Sequence, residues 1–383
     1  MTRASLRVAV VLTLLGGVLG VSTSPALAWT DVPSNFWAKT AIDHVAVTNK
    51  WMEDFGTETF KPEAIETKRR FASALVKAFD PNGTVDPTIT FPDMPATDPF
   101  YRYANIAVKH GWMTVTADGK FKPANGVNTI ATHRGLVLAL GLQEEVDGLN
   151  AIHTDDGTSI AVDTVRFAYM ILGMQLGFRY NHADETQEVM PGTVLHRDEV
   201  AYSLWKAKTA AQWQLDKLIP YRDISLPVQA ASKLAVAEFG FKYVGYPYIW
   251  AGEWYKKSPS GYCCGSQPKG GFDCSGLMWW ALKKPGGGYD PRPVRGYWGW
   301  SLPQRSSATM AAVGTRLTYA QTLPGDLMFH DSGSNPGVIS HVNVYLGNGW
   351  ALDSSSSAAG VSVIKVDSGY YYDHHMWSRR LSA

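Results

Sequence analysis

Apolar positions along this chain recur in two rhythms. From Trp29 to about Trp205 they return about every three or four residues in short stretches, such as Val165 to Tyr180, which predicts amphipathic helices. Nearer the C-terminus the period drops to two. Ser340-His341-Val342-Asn343-Val344-Tyr345-Leu346 alternates in this way and predicts a strand with one buried face. Val228 to Phe239 is alanine-rich and helical in period, and Leu277 to Lys284 predicts another helix after a Gly270-Gly271 loop. A helical part followed by a mixed part predicts two units, and 383 residues exceed the usual size of one core.

The helical part repeats loosely, roughly every 50 to 60 residues. The first copy reads Trp29-Thr30-Asp31-Val32, a helix from Phe36-Trp37-Ala38 to Trp51, Phe60-Lys61-Pro62, then Thr67-Lys68-Arg69-Arg70 opening a second helix. The second reads Phe91-Pro92-Asp93, a helix from Tyr103-Ala104 to Trp112, Phe121-Lys122-Pro123, then Thr132-His133-Arg134-Gly135. The third is blurred, with Met190-Pro191-Gly192 ahead of Leu195-His196-Arg197-Asp198-Glu199. Each copy is a helix pair whose apolar face needs a neighbour to cover it, so three copies bury one another. The expected boundaries are 29–85, 86–142 and 143–206, followed by a polar linker or docking helix over 207–227 and a second unit over 228–383. The repeats resemble the S-layer homology domain. That resemblance implies an all-α prism that grips an anionic secondary polymer of the cell wall, with Lys68, His133 and Arg197 at the positions of the family's polymer-binding arginine. A purely structural helical domain is the other reading, since helix starts attract charged residues for capping alone.

Charge and leader narrow the setting. Arg3 and Arg7 precede an apolar run from Val8 to about Val21, and Ala26-Leu27-Ala28 has the small-x-small form of a cleavage site, so residues 1–28 read as a signal peptide. Export, cell-wall association and no later membrane span follow as expectations. The formal net charge is +1 and signs are mixed, which argues against a nucleic-acid partner. Fourteen Trp and eighteen Tyr suit either sugar stacking or an ordinary core. Three cysteines cannot all pair within one chain. Cys274 reads as the free one, and the vicinal Cys263-Cys264 pair is left open. No metal or other cofactor is expected, because the cysteines lack paired C-x-x-C spacing.

Cys274 follows Phe272-Asp273 at the predicted start of a helix, where unpaired N–H groups and the macrodipole favour an anionic sulfur. His341, on the alternating strand, would be its base.

Four blocks stand in order: Gly245-Tyr246-Pro247-Tyr248-Ile249-Trp250, Phe272-Asp273-Cys274-Ser275-Gly276, Pro324-Gly325-Asp326-Leu327 and Ser340-His341-Val342-Asn343. Together they resemble the NlpC/P60 family of cysteine peptidases. The resemblance implies a papain-like α+β domain, a nucleophile helix packed on an antiparallel sheet, that cleaves peptidoglycan stem peptides, typically at a γ-D-glutamyl bond to a diamino acid. It further implies that Tyr248 assists the oxyanion and that Asp273 and Ser275 bind the polar end of the peptide, helix capping being the alternative role for those two. At the position of Asp353, twelve residues after His341, the family carries a polar orienting residue, and an aspartate there could accept the second ring N–H. A two-residue Asn348-Gly349 hairpin loop would put Asp353 opposite Val344, on the face away from His341. A three-residue Gly347-Asn348-Gly349 loop puts it opposite Asn343 and diagonal to His341, so the triad predicts the looser turn. Gln304 falls at the family's loop arginine, with Arg305 shifted by one. The combined expectation is a secreted, wall-retained thiol peptidase. The rivals are an inert wall-binding or structural protein and a thiol amidase or acyl transferase acting on another wall amide.

Overall fold

The structure, a computed structural model, describes residues 29–52, 58–259, 267–282 and 304–381. The expected leader and the Cys263-Cys264 pair lie outside the described residues.

The helical rhythm becomes three helix pairs. In the first, α1 (Lys39–Ile42) continues as a π-helical turn over Asp43–Thr48 and is followed by α2 (Lys68–Phe79). The second pairs α3 (Tyr101–Lys109) with α4 (Thr129–Ala139). After α5 (Gln143–Asn150) and the short strand β1 (His153–Thr154), α6 (Phe167–Gln175) and α7 (Arg197–Thr209) form the third. Each first helix stops at a left-handed residue, Lys50 (φ 55°), Gly111 (φ 71°) or Gly177 (φ 71°), and the next residue is aromatic: Trp51, Trp112 or Phe178. In the first two copies an aspartate clamps the turn before the second helix. Asp31 accepts the N–H groups of Phe60 (2.9 Å) and Lys61 (2.7 Å), and Asp93 those of Phe121 (2.9 Å) and Lys122 (2.8 Å).

The segments entering α2, α4 and α7 meet through backbone bridges Ile65 to His196, Thr67 to Gly126 and Asn128 to Val194, one segment from each copy. This triangle makes Thr67, Asn128 and His196 equivalent N-caps, and Lys68, Thr129 and Arg197 equivalent first residues. The second copy is therefore one helical turn off the expected register: Thr129, not His133, is the equivalent of Lys68 and Arg197. Counting from the Phe-Lys-Pro turns would have found this, because Phe60 precedes Lys68 by the same interval as Phe121 precedes Thr129.

The expected linker is structured. α7 runs through the predicted boundary to Thr209, and α8 (Gln212–Asp216), a 3-10 turn over Ile219–Arg222 and β2 (Ser225–Leu226) follow, with β2 pairing parallel to β1. The C-terminal part then runs α9 (Ala231–Phe241), β3 (Glu253–Trp254), β4 (Gly271–Phe272), α10 (Cys274–Ala281) and α11 (Ser307–Met310). The chain continues through β5 (Thr315–Leu317), β6 (Leu327–His330), β7 (His341–Gly347), β8 (Trp350–Ser355), β9 (Gly360–Lys365), α12 (Gly369–Asp373) and β10 (His375–Arg380). The last six strands form an antiparallel sheet in the order β5-β10-β6-β7-β8-β9, so the α+β expectation holds behind an all-α N-terminal part.

Period-two alternation gives the sheet two faces. Val342, Val344 and Leu352 join the main core with α9 and α10, while Met328, Ala351 and Ile364 form a small second cluster with Tyr371 on the other. The helical part is welded to this domain by hydrogen bonds. The buried Arg179 guanidinium donates to Gly245 O (2.8 Å) and Ala359 O (3.1 Å), and Tyr221 Oη donates to Val363 O (2.8 Å). No helix among the described residues is long and apolar enough to cross a membrane.

Candidate active site

Cys274 is the first residue of α10. Asp273 caps that helix, its Oδ1 accepting the Gly276 N–H at 2.5 Å, and the alternative role foreseen for Asp273 is realised. Gly276 is required here: a Cβ would lie 2.1 Å from the Gly252 carbonyl oxygen, so only glycine lets the helix start approach the preceding loop. Cys274 is a free thiol, and its residue opens onto a cleft of about 650 Å³ that Tyr248, Trp250, Asp273, Ser275 and Arg305 also line.

His341 is the first residue of β7, hydrogen-bonds Asp353 and lies close enough to Cys274 for the sulfur to act on its ring charge. Its Nε2 lies 2.5 Å from Asp353 Oδ1. The expected register is present, but by a different device. Gly347 pairs with Trp350, so the turn is the tight two-residue Asn348-Gly349 with φ of 49° and 78°. A bulge between Tyr345 and Gly347 restores the phase, so Val344 faces Leu352 and Asp353 comes level with Asn343. The three-residue turn was thus wrong, because one extra residue can be absorbed inside a strand as well as in a loop.

Electrostatics follow from this burial. Desolvation disfavours the imidazolium, but the Asp353 carboxylate, the nearby Cys274 sulfur and the hydrogen bond to Asp353 outweigh it, and the His341 pKa is raised well above 6.5. Asp353 is fully buried. Desolvation pushes its carboxyl up, yet His341, Tyr371 and Ser355 together hold it below the ordinary 3.8. Burial first, and then Cys274 and Asp273, raise the Tyr248 hydroxyl above 10.0, so it stays a phenol and a donor.

Arg305 was underrated in the sequence. Its Nη1 donates to Asp273 Oδ1 (3.0 Å) and Ser275 Oγ (2.7 Å), and its Nη2 to Gly252 O (2.9 Å) and Asp273 Oδ2 (3.1 Å). The two residues expected to hold substrate are therefore already engaged by this guanidinium, on the cleft wall. Tyr371, which donates from Oη to Asp353 Oδ2 at 3.0 Å, was missed altogether, since nothing local to Gly369-Tyr370-Tyr371-Tyr372 marks one tyrosine of three.

The three positions expected to meet a polymer separate. Arg197 is 1% exposed: its Nη1 pairs with the equally buried Glu66 at 2.8 Å, its Nε donates to Phe60 O at 2.9 Å, and its guanidinium lies 4.5 Å above the Phe60 ring. His133 is also 1% exposed, edge-on to Phe178. Both are corrected to internal roles, because a polymer cannot reach them. Lys68 lies 4.7 Å above Phe121, donates to Thr114 O at 2.9 Å and lines a groove of about 160 Å³ with Trp112, Asn128 and Arg134. Of the three, it alone stays accessible.

Comparison with known proteins matches residues 245–380 to the NlpC/P60 family and residues 90–128 to the S-layer homology domain. The bifunctional muramidase/DL-endopeptidase CwlT of Bacillus subtilis is 30% identical over 139 residues, 36% of this chain and 33% of that protein. The peptidoglycan endopeptidase RipB of Mycobacterium tuberculosis is 33% identical over 123 residues, 32% of this chain and 43% of that protein. The murein DD-endopeptidase MepH of Escherichia coli is 27% identical over 155 residues, 40% of this chain and 47% of that protein. The chain therefore spans less than half the length of each of these relatives. The solved structure of RipB is 27% identical and covers 40% of this chain and 65% of that one, with a TM-score of 0.29. Residues 245–380 are an NlpC/P60 domain, set behind a helical part in which residues 90–128 are an S-layer homology domain.

Proposed function

We propose that the protein is a cell-wall hydrolase in which Cys274 cleaves peptide bonds of peptidoglycan stems. The observation that carries this reading is a free Cys274 on a cleft of about 650 Å³, beside a His341 ring that hydrogen-bonds the buried Asp353. The sulfur, as thiolate, attacks the amide carbonyl. The Tyr248 hydroxyl and the Cys274 N–H, unpaired at the helix start, face the oxyanion that forms. Imidazolium at His341 then gives its proton to the leaving amine, and a thioester remains on Cys274. Water, deprotonated by the now neutral imidazole, hydrolyses that thioester and regenerates the thiol.

The bond favoured is the γ-D-glutamyl link to the diamino acid. In support, similar chains include a DL-endopeptidase and a γ-DL-glutamyl hydrolase, the latter 29% identical over 128 residues. Mass spectrometry of the soluble fragments released from purified peptidoglycan tests it. Stems ending in D-isoglutamate are expected; fragments cut at a D,D-bond, the specificity named for the MepH relative, would overturn the assignment.

In the same reading the protein is exported and the S-layer homology part retains it on the wall through an anionic polymer, with Lys68 in the accessible groove as its contact. Retention on the wall raises the local concentration of the cleft at an insoluble substrate.

A further inference from the structure

We infer that Tyr371 is a positioning residue for the catalytic imidazole, acting through Asp353; this rests on the thiol-peptidase reading of the same site. Asp353 is completely buried, and a buried carboxylate must have both oxygens satisfied or lose far more than a surface one would. Oδ1 is taken by His341 at 2.5 Å and Oδ2 by the Tyr371 hydroxyl at 3.0 Å. The two donors approach one carboxylate from different elements, β7 and α12, so the carboxyl plane is fixed and with it the line along which the ring is held.

Tyr371 is itself anchored. Its carbonyl oxygen accepts from His330 Nδ1 at 3.0 Å, its ring stands 5.3 Å from that of His330 and 5.8 Å from that of His341, and it packs on the small apolar cluster of Met328, Ala351 and Ile364. Burial raises its hydroxyl well above 10.0, so it remains a donor wherever Asp353 is charged. The helix carrying it lies beyond the hairpin and none of its residues lines the cleft, which makes it a support for the triad and not a member of it.

The test is Tyr371→Phe in the full chain, read by the alkylation rate of Cys274 with iodoacetamide across pH, followed on the Cys274 peptide by mass spectrometry, and by turnover of wall peptides. The account expects turnover to fall about tenfold at unchanged KM and the alkaline limb of both profiles to move down, with the melting transition kept. The double variant Asp353→Asn/Tyr371→Phe is expected to be no slower than Asp353→Asn alone, because the hydroxyl then has nothing left to position. Full additivity of the two changes, or an unmoved limb in Tyr371→Phe, would overturn the inference. If the phenylalanine variant unfolds, difluorotyrosine at 371 keeps ring and hydroxyl while changing acidity, and the limb must still move. Alkylation uses no substrate, so a failure of the peptidase reading appears separately, as normal alkylation with no turnover.

Discussion

His341 and Asp353, twelve residues apart in the chain, meet across the β7-β8 hairpin with 2.5 Å between Nε2 and Oδ1. They meet because a bulge beside a tight turn sets the two strands in phase. An imidazolium between a buried carboxylate and a sulfur is favoured on both sides, which sets the pH range of the chemistry.

His341 has its pKa raised well above 6.5, so its protonated form persists through neutral pH and is lost only as pH rises through that raised value. Activity that needs this proton for the leaving amine is expected to hold well above pH 6.5 before falling. Asp353→Asn removes the charge, so the alkaline limb should drop toward the ordinary histidine range, with turnover lower by about a hundredfold or more. The pH dependence of kcat for the two proteins checks both parts.

Arg197 and Glu66 are each 1% exposed, and the pair joins the third copy to the first. Arg197→Leu strands a buried carboxylate and is expected to cost about 3 to 5 kcal/mol of stability, measured by urea denaturation. Binding of the remaining folded protein to cell walls should be unchanged. Lys68→Glu should do the opposite, keeping stability and weakening attachment to walls that retain their anionic polymer.

Burial, and then the nearby Arg179 charge, lower the pKa of His133 to about 3. The folded chain leaves this ring neutral while the unfolded chain protonates it below 6.5, so its share of stability declines as pH falls through that value toward 3. His133→Leu removes the proton uptake. The stability difference between pH 7 and pH 4.5 should shrink by about 2 to 3 kcal/mol in that variant, measured by urea midpoints at the two pH values.

Much of this was legible in the chain because local chemistry marks it. Cys274 follows a capping aspartate, His341 opens an alternating strand, and Asn348-Gly349 signals a hairpin. The register could be argued from the need to bring Asp353 beside His341, although the bulge that achieves it leaves no local mark. Contacts between distant segments stayed hidden. Arg305 reaches Asp273 across 32 positions, Tyr371 reaches Asp353 from another element, and Arg197 finds Glu66 across 131. The helix-start charges were misread for the same reason: whether an arginine there faces solvent or a neighbouring repeat is decided by how the three copies close on each other.

The most direct measurement is release of peptide fragments from purified peptidoglycan by the full protein and by Cys274→Ala, each confirmed to be folded. The account predicts steady release by the first and none above background by the second. Equal release by both would contradict a thiol nucleophile at position 274.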